Sequence, residues 1–191
     1  LVPIKSENKS WTEYGRIDTD ILYGNVVNKF AWGGANDPEV NLDYNHIRTL
    51  IVIRSRLVYA RLAKALASEG KKDKAIQVLD SCMELLPPDR FLPDPYYTDL
   101  IDAYFSAGAP EKATEMTREL TDYYYKRLDY YLRQNPYVLS SAEYEIQSAF
   151  QYASKAALYC ESNGISDLSE EINAKLEEYY ADYVGKRQVV R

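Results

Sequence analysis

The sequence predicts an all-α fold: about three antiparallel helical hairpins behind an irregular N-terminal arm. Three observations carry that reading. Apolar residues recur mostly at three- and four-residue steps from Asp43 onward. Helix terminators close the successive runs at Gly70, Pro87-Pro88, Gly108, Asn135-Pro136 and Gly164. No stretch reads convincingly as a strand.

Residues 1–42 carry turn signals at Tyr14-Gly15, Gly33-Gly34 and Asp37-Pro38 and no sustained helical period. They read as an arm packed on the repeats, with one short helix around residues 19–30. Residues 43–191 read as the repeat region, one domain overall. Its first helix has Ile47, Leu50, Ile51, Leu57, Val58, Leu62 and Leu66 on one side and ends at Gly70. The second carries Ala75, Val78, Leu79, Cys82 and Leu86 and stops at the proline pair. Asp94-Pro95 supplies a cap and first residue for the third, which Gly108 ends. Pro110 opens a fourth, running to about Gln134. Ser140 with Glu143 forms a capping box for a fifth, and Ser166 caps a sixth that reaches about Val184. That makes six helices in three antiparallel pairs.

The 191 residues are 46% hydrophobic and 27% charged, enough for a globular domain with a core. The net charge of −6 argues against a general affinity for nucleic-acid phosphates, which needs a basic surface. The longest apolar stretch, residues 50–67, is interrupted by Arg54, Arg56, Arg61 and Lys64, so direct insertion into a bilayer is not expected. The chain starts at Leu1 with no visible signal peptide, which suggests a piece of something longer. Cys82 and Cys160 stand far apart and suit neither a disulfide framework nor a metal-ligand pair.

The opening hairpin has an internal grammar. Tyr59, Leu62-Ala63, Leu66, Gly70, Ala75, Leu79, Cys82 and Pro87 match the tetratricopeptide pattern, in which small residues sit where two helix backbones approach. Tyr97, Leu100, Tyr104, Gly108, Ala113 and Leu120 repeat it. Ala75 to Ala113 is 38 residues, a little longer than the usual repeat. Ile101, Thr117 and Tyr125 depart from the pattern in that copy. A weaker third copy centres on Ala156, Ala157, Cys160 and Gly164. Three units are about the minimum for a stable array.

Catalytic constellations are absent from the pattern. His46 is the single histidine, without a second ligand or nucleophile near it in sequence. The cysteines fall at small-residue helix positions and read as buried, inert thiols. Gly33-Gly34 lacks the strand and spacing of a phosphate loop. The paired carboxylates Asp18 and Asp20, Glu143 and Glu145, and Glu170 and Glu171 read as solvated helix faces. No catalytic residue, cofactor or metal ligand is expected.

Tyrosine is the compositional outlier, 19 against 4 phenylalanines. "DYYYKRLDYYL" places Tyr123, Tyr124, Tyr125, Tyr130 and Tyr131 nearly all round one helix. Packing on both sides is the favoured reading; an aromatic wall for a sugar or peptide is the rival. Some tetratricopeptide domains grip a terminal carboxylate with basic residues on groove-facing helices. The matching positions here are Leu57, Ala60, Lys64, Ala67, Thr98, Asp102, Phe105, Gln151, Ser154 and Leu158, of which only Lys64 is basic, so that clamp is not expected. The candidate binding surface is Lys64, Tyr97, Asp102, Tyr104, Tyr130 and Tyr131.

The arm supplies a further likeness. "LVPIK", "GRIDTDILYGNVVNKFAWGG" and "VNLDYNHIR", followed by helical hairpins, resemble the C-terminal region of a bacterial family of multi-spanning membrane proteins similar to protein O-mannosyltransferases. Gly15-Arg16-Ile17-Asp18, Leu22-Tyr23, Asn28-Lys29-Phe30, Trp32-Gly33 and Leu42-Asp43 carry it, over essentially the whole chain. The resemblance implies a location on the extracytoplasmic, periplasmic side of the inner membrane. It also implies a lipid-linked sugar donor used elsewhere in the parent protein, whose carboxylates have no counterpart here.

The expected function is therefore non-catalytic: binding a polypeptide, or docking on the chain's own membrane part, to present acceptor to a glycosyl-transfer site. A carbohydrate-binding module, a stand-alone scaffold and a hydrolase are the alternatives. Trp11, Phe30 and Trp32 are expected to be largely buried, anchoring the arm.

Overall fold

The computed structural model describes residues 15, 17–43 and 52–188. These contain eight helices and no strand: α1 (Thr19–Asn28), α2 (Ile53–Ser68), α3 (Lys72–Leu85), α4 (Tyr97–Ala107), α5 (Pro110–Leu132), α6 (Pro136–Ser141), α7 (Glu143–Ser162) and α8 (Ser166–Gln188). The expected contributions of Trp11, His46, Ile47, Leu50 and Ile51 lie outside the described residues. The chain forms two compact units, Leu1–Pro110 and Glu111–Arg191.

In the first unit α2 packs against both α3 and α4, and α3 also meets α4. The faces follow from the periodicity. Tyr59, Ala60, Leu62, Ala63 and Leu66 are buried on α2, and Ala75, Val78, Leu79 and Cys82 on α3, with Leu86 just beyond. Gly70 and Gly108 take φ of 78° and 80°, a left-handed conformation open to glycine without steric cost, and they end α2 and α4. Ala75 has no exposed surface, so extra methylenes there have no room. Ala75→Leu is expected to cost about 1–3 kcal/mol. Chemical unfolding checks this; an unchanged midpoint would place Ala75 away from any tight contact.

Asp94 departs from its expected role. α4 begins at Tyr97, and Asp94 organises the turn before it, its Oδ1 accepting from Tyr96 N at 2.8 Å. The other carboxylate oxygen is engaged by Arg56, so the residue bridges a turn and a distant helix instead of simply opening α4.

The arm's helix α1 is capped by Asp18, whose Oδ1 accepts from Ile21 N at 3.0 Å. It packs on α2 and α3. Polar contacts hold it: Thr19 donates to Glu69 Oε2 at 2.7 Å, Tyr23 to Gln77 Oε1 at 2.6 Å, and Lys71 pairs with Asp20 and Glu69. The Lys71 ammonium draws both carboxyls below their ordinary range. The expected aromatic anchoring is corrected. Phe30 is 46% exposed and meets Trp32 edge-on at 6.1 Å, while Trp32 is half-buried against Tyr59. Hydrogen bonds and ion pairs tie down α1, so Phe30 need not be covered for this segment to have a fixed place.

The second unit contains α5 from Glu111 onward, α6, α7 and α8. α7 packs on α8. Leu168, Ile172, Leu176 and Tyr183 form the buried stripe of α8. The expected capping box is also corrected. Ser140 lies inside α6, whose cap is Asn135, accepting from Val138 N at 3.1 Å. Asn135-Pro136 therefore starts a helix as well as ending one, because proline's fixed φ suits a first turn. Glu143 turns to Gln147 and Arg187 instead of reaching back to Ser140.

Candidate functional site

The six residues of the expected binding surface fall into three situations. Lys64 on α2 and Asp102 on α4 form an ion pair with each other, so the single basic residue expected on that surface is already engaged. Tyr97 is fully buried and lies beneath the Arg56 guanidinium, 5.1 Å from the ring centre. Tyr104 is 2% exposed, and its hydroxyl donates to Asp80 Oδ1 at 2.9 Å. Burial, then Asp80, pushes that hydroxyl far above the ordinary tyrosine range. Neither ring can serve as a surface wall. Tyr130 on α5 is 61% exposed, and Tyr131 beside it is half-buried, the ring centres 5.3 Å apart.

The tyrosine-rich helix divides its aromatics by depth. Tyr124 is buried and stacks on Tyr152 of α7 at 5.9 Å. Tyr125 packs on Tyr179 of α8 at 5.6 Å, and Tyr179 donates to Asp129 Oδ1 at 3.1 Å. Tyr123 and Tyr131 flank Arg127, whose Nη1 and Nη2 donate to their hydroxyls at 3.2 and 3.3 Å. The guanidinium carbon lies 5.7 Å from each ring centre. This tyrosine–arginine–tyrosine cluster is the most ligand-like group of polar side chains on α5. Its i, i+4, i+8 spacing was visible in the sequence, but counting tyrosines drew attention away from the arginine between them.

Sequence reasoning also missed Arg56, read there only as a charge interrupting an apolar run. It is completely buried. Nη1 donates to Asp94 Oδ2 at 2.6 Å and Leu92 O at 3.0 Å; Nη2 donates to Phe91 O at 2.6 Å and Leu86 O at 3.3 Å. The side chain thus collects carbonyls at the end of α3 and the loop behind it. Next to this loop is a cavity of about 400 Å³ lined by Val40, Leu42, Val52, Arg90, Phe91 and Leu92 among others. Arg90 closes one side by donating to Asp37 O and Val40 O, both at 2.5 Å. A shallower groove of about 720 Å³ runs between α7 and α8, with Phe150, Tyr180, Tyr183 and Arg187 on its walls.

The two thiols are buried and free. Burial pushes Cys82 up to about 12 and raises Cys160, so neither is a ready nucleophile. Burial likewise pushes the Tyr125 and Tyr179 hydroxyls up to about 12. An acid whose folded pKa exceeds its unfolded value holds its proton longer in the native state, so stability falls as pH rises between the two values. The unfolding midpoint is expected to be insensitive to these groups below about pH 8 and to decline from about pH 9, where an unfolded cysteine titrates, toward 12. Denaturant titrations across that range check it; a midpoint that rises with alkali contradicts the burial of these groups.

Among the described residues, no cluster of three or more His, Cys, Asp or Glu side chains could hold a metal ion. No described helix is long and apolar enough to cross a membrane. The class these features define is an all-helical protein. Comparison with known proteins finds no matching family model, curated protein or solved structure.

Proposed function

We propose that the chain is a tetratricopeptide-like array of helical hairpins that binds polypeptide and performs no chemistry of its own. On this reading it is attached to a glycosyltransferase-like membrane protein on the extracytoplasmic side of the inner membrane, where it docks acceptor or the membrane part itself. One observation carries the array reading. α2 packs on α3 and also on α4, which the array reading assigns to the next hairpin. Stacked hairpins bury first helices on one another in this way and leave an extended surface for ligands. The sugar-binding alternative loses support, because Tyr97 and Tyr104 belong to the core. The link to glycosyl transfer rests on the arm's resemblance.

The test is removal of residues 1–191 from the protein that carries them, followed by assay of transfer to protein acceptors and of donor binding. Loss of acceptor modification with donor binding retained supports docking. Unchanged modification of every acceptor refutes it.

A further inference from the structure

We infer that Tyr123, Arg127 and Tyr131 on α5 form a recognition site for a carboxylate, carried by aspartate or glutamate side chains of a bound polypeptide. The inference rests on the polypeptide-binding reading and names the chemistry that such a ligand brings.

The argument starts from the surroundings of the arginines. Four described arginines are buried or half-buried: Arg56, Arg61, Arg90 and Arg127. Arg56 faces a carboxylate and three carbonyls. Arg61 donates to Gly15 O at 3.0 Å, and Arg90 to two carbonyls. Arg127 alone among these gives its N–H groups to phenol oxygens only, at 3.2 and 3.3 Å. Phenols do not neutralise a guanidinium, and a partly desolvated charge without a counter-charge is unfavourable. The chain has 29 Asp and Glu residues, so acidic partners are plentiful, yet none of the described ones pairs with Arg127.

The arrangement is ready for an anion. Each phenol accepts from Arg127 and keeps its own O–H to donate outward. The guanidinium has five N–H groups, of which two are used here. The free donors suit a planar acceptor with two oxygens, the geometry of a carboxylate. The rings are held in place: Tyr123 packs edge-on against the buried Tyr124 at 5.1 Å, and Tyr131 against Tyr130 at 5.3 Å. The cluster also continues a helical stripe. Ala113, Met116 and Leu120 are buried, and the next steps of the same stripe are the half-buried Tyr123, Arg127 and Tyr131. With a net charge of −6, the chain attracts acidic polypeptide locally and not as a whole, so recognition is expected to weaken with salt.

The probe is a fluorescein-labelled oligo-glutamate peptide titrated with the chain and followed by anisotropy at low salt. Oligo-lysine and oligogalacturonate are the comparison ligands. Saturable binding of oligo-glutamate is expected, weakened roughly tenfold or more by Arg127→Gln. Arg127→Lys, which keeps the charge but loses the fork, should fall between. Tyr123→Phe with Tyr131→Phe should weaken binding without abolishing it. Far-ultraviolet circular dichroism and the unfolding midpoint establish that each variant is folded. A second readout is the Arg127 Nε–H resonance, which should shift on titration. Absence of saturable oligo-glutamate binding, or equal binding by Arg127→Gln, overturns the site. Tighter binding of oligogalacturonate overturns the polypeptide assignment in favour of an acidic sugar. Arg127-dependent peptide binding alongside unchanged acceptor modification on removal of residues 1–191 would keep the site and discard the docking role. The converse pair of results would keep the docking role and discard the site.

Discussion

Arg56→Met is expected to destabilise the first unit by about 3–5 kcal/mol, because it removes one partner of a buried ion pair and strands the other. Asp94, 3% exposed, would lose its counter-charge at 2.6 Å. The carbonyls of Leu86, Phe91 and Leu92 would lose their donors at the same time. A buried ion pair is not by itself evidence of net stabilisation, since desolvation offsets much of the attraction. The carbonyls make the difference. A double variant, Arg56→Met with Asp94→Leu, removes the stranded carboxylate but leaves the carbonyls unsatisfied, so it should recover only part of the loss. Equilibrium unfolding in denaturant measures both variants. A cost under about 1 kcal/mol for Arg56→Met, the scale of an exposed pair, would show that the arginine is not the link between α2 and the loop after α3.

Tyr124→Ala is expected to cost about 3–5 kcal/mol, the range for emptying a buried aromatic site. Its ring stacks on Tyr152 and meets Tyr123 edge-on, so truncation leaves a cavity and ends both ring contacts. Tyr130→Ala, at a ring 61% exposed, should change stability by no more than about 0.5 kcal/mol. The two substitutions are chemically identical and six residues apart on one helix, so the contrast reads burial directly. Equal effects in chemical unfolding would mean that the division of α5 into core and surface tyrosines is wrong.

That division explains what in the candidate site was legible beforehand. Periodicity identifies faces, but a tyrosine suits a buried face and an exposed one equally, having an apolar ring and a polar tip. Tyr97 and Tyr104 went to the core, Tyr130 to the surface, and the pattern of the sequence does not distinguish them. Lys64 and Asp102 are 38 residues apart and read as separate features of a binding face. In the fold α2 and α4 bring them together, and each neutralises the other. The helices themselves were more legible. Stripes such as Ala75, Val78, Leu79, Cys82 and Leu86 were read from spacing and are buried together. Caps were read less well: α4 begins at Tyr97, beyond Asp94, whose carboxylate also reaches Arg56, and Ser140 lies inside α6.

The sequence by itself determined what depends on neighbours within a few residues: the all-helical class, the stops at Gly70, Pro87-Pro88, Gly108 and Gly164, and the apolar stripes of α2 and α3. Backbone conformation and side-chain periodicity are local, so a helix can be read from one stretch of chain. Tertiary structure decided what depends on contacts across tens of residues. It buried Arg56 against Asp94, 38 residues away, and fastened α1 through Thr19, Tyr23 and Lys71. It also left Arg127 between two phenols while acidic residues paired elsewhere. A charge can be buried or exposed according to whether its counter-groups arrive, and their arrival is a property of the packed helices.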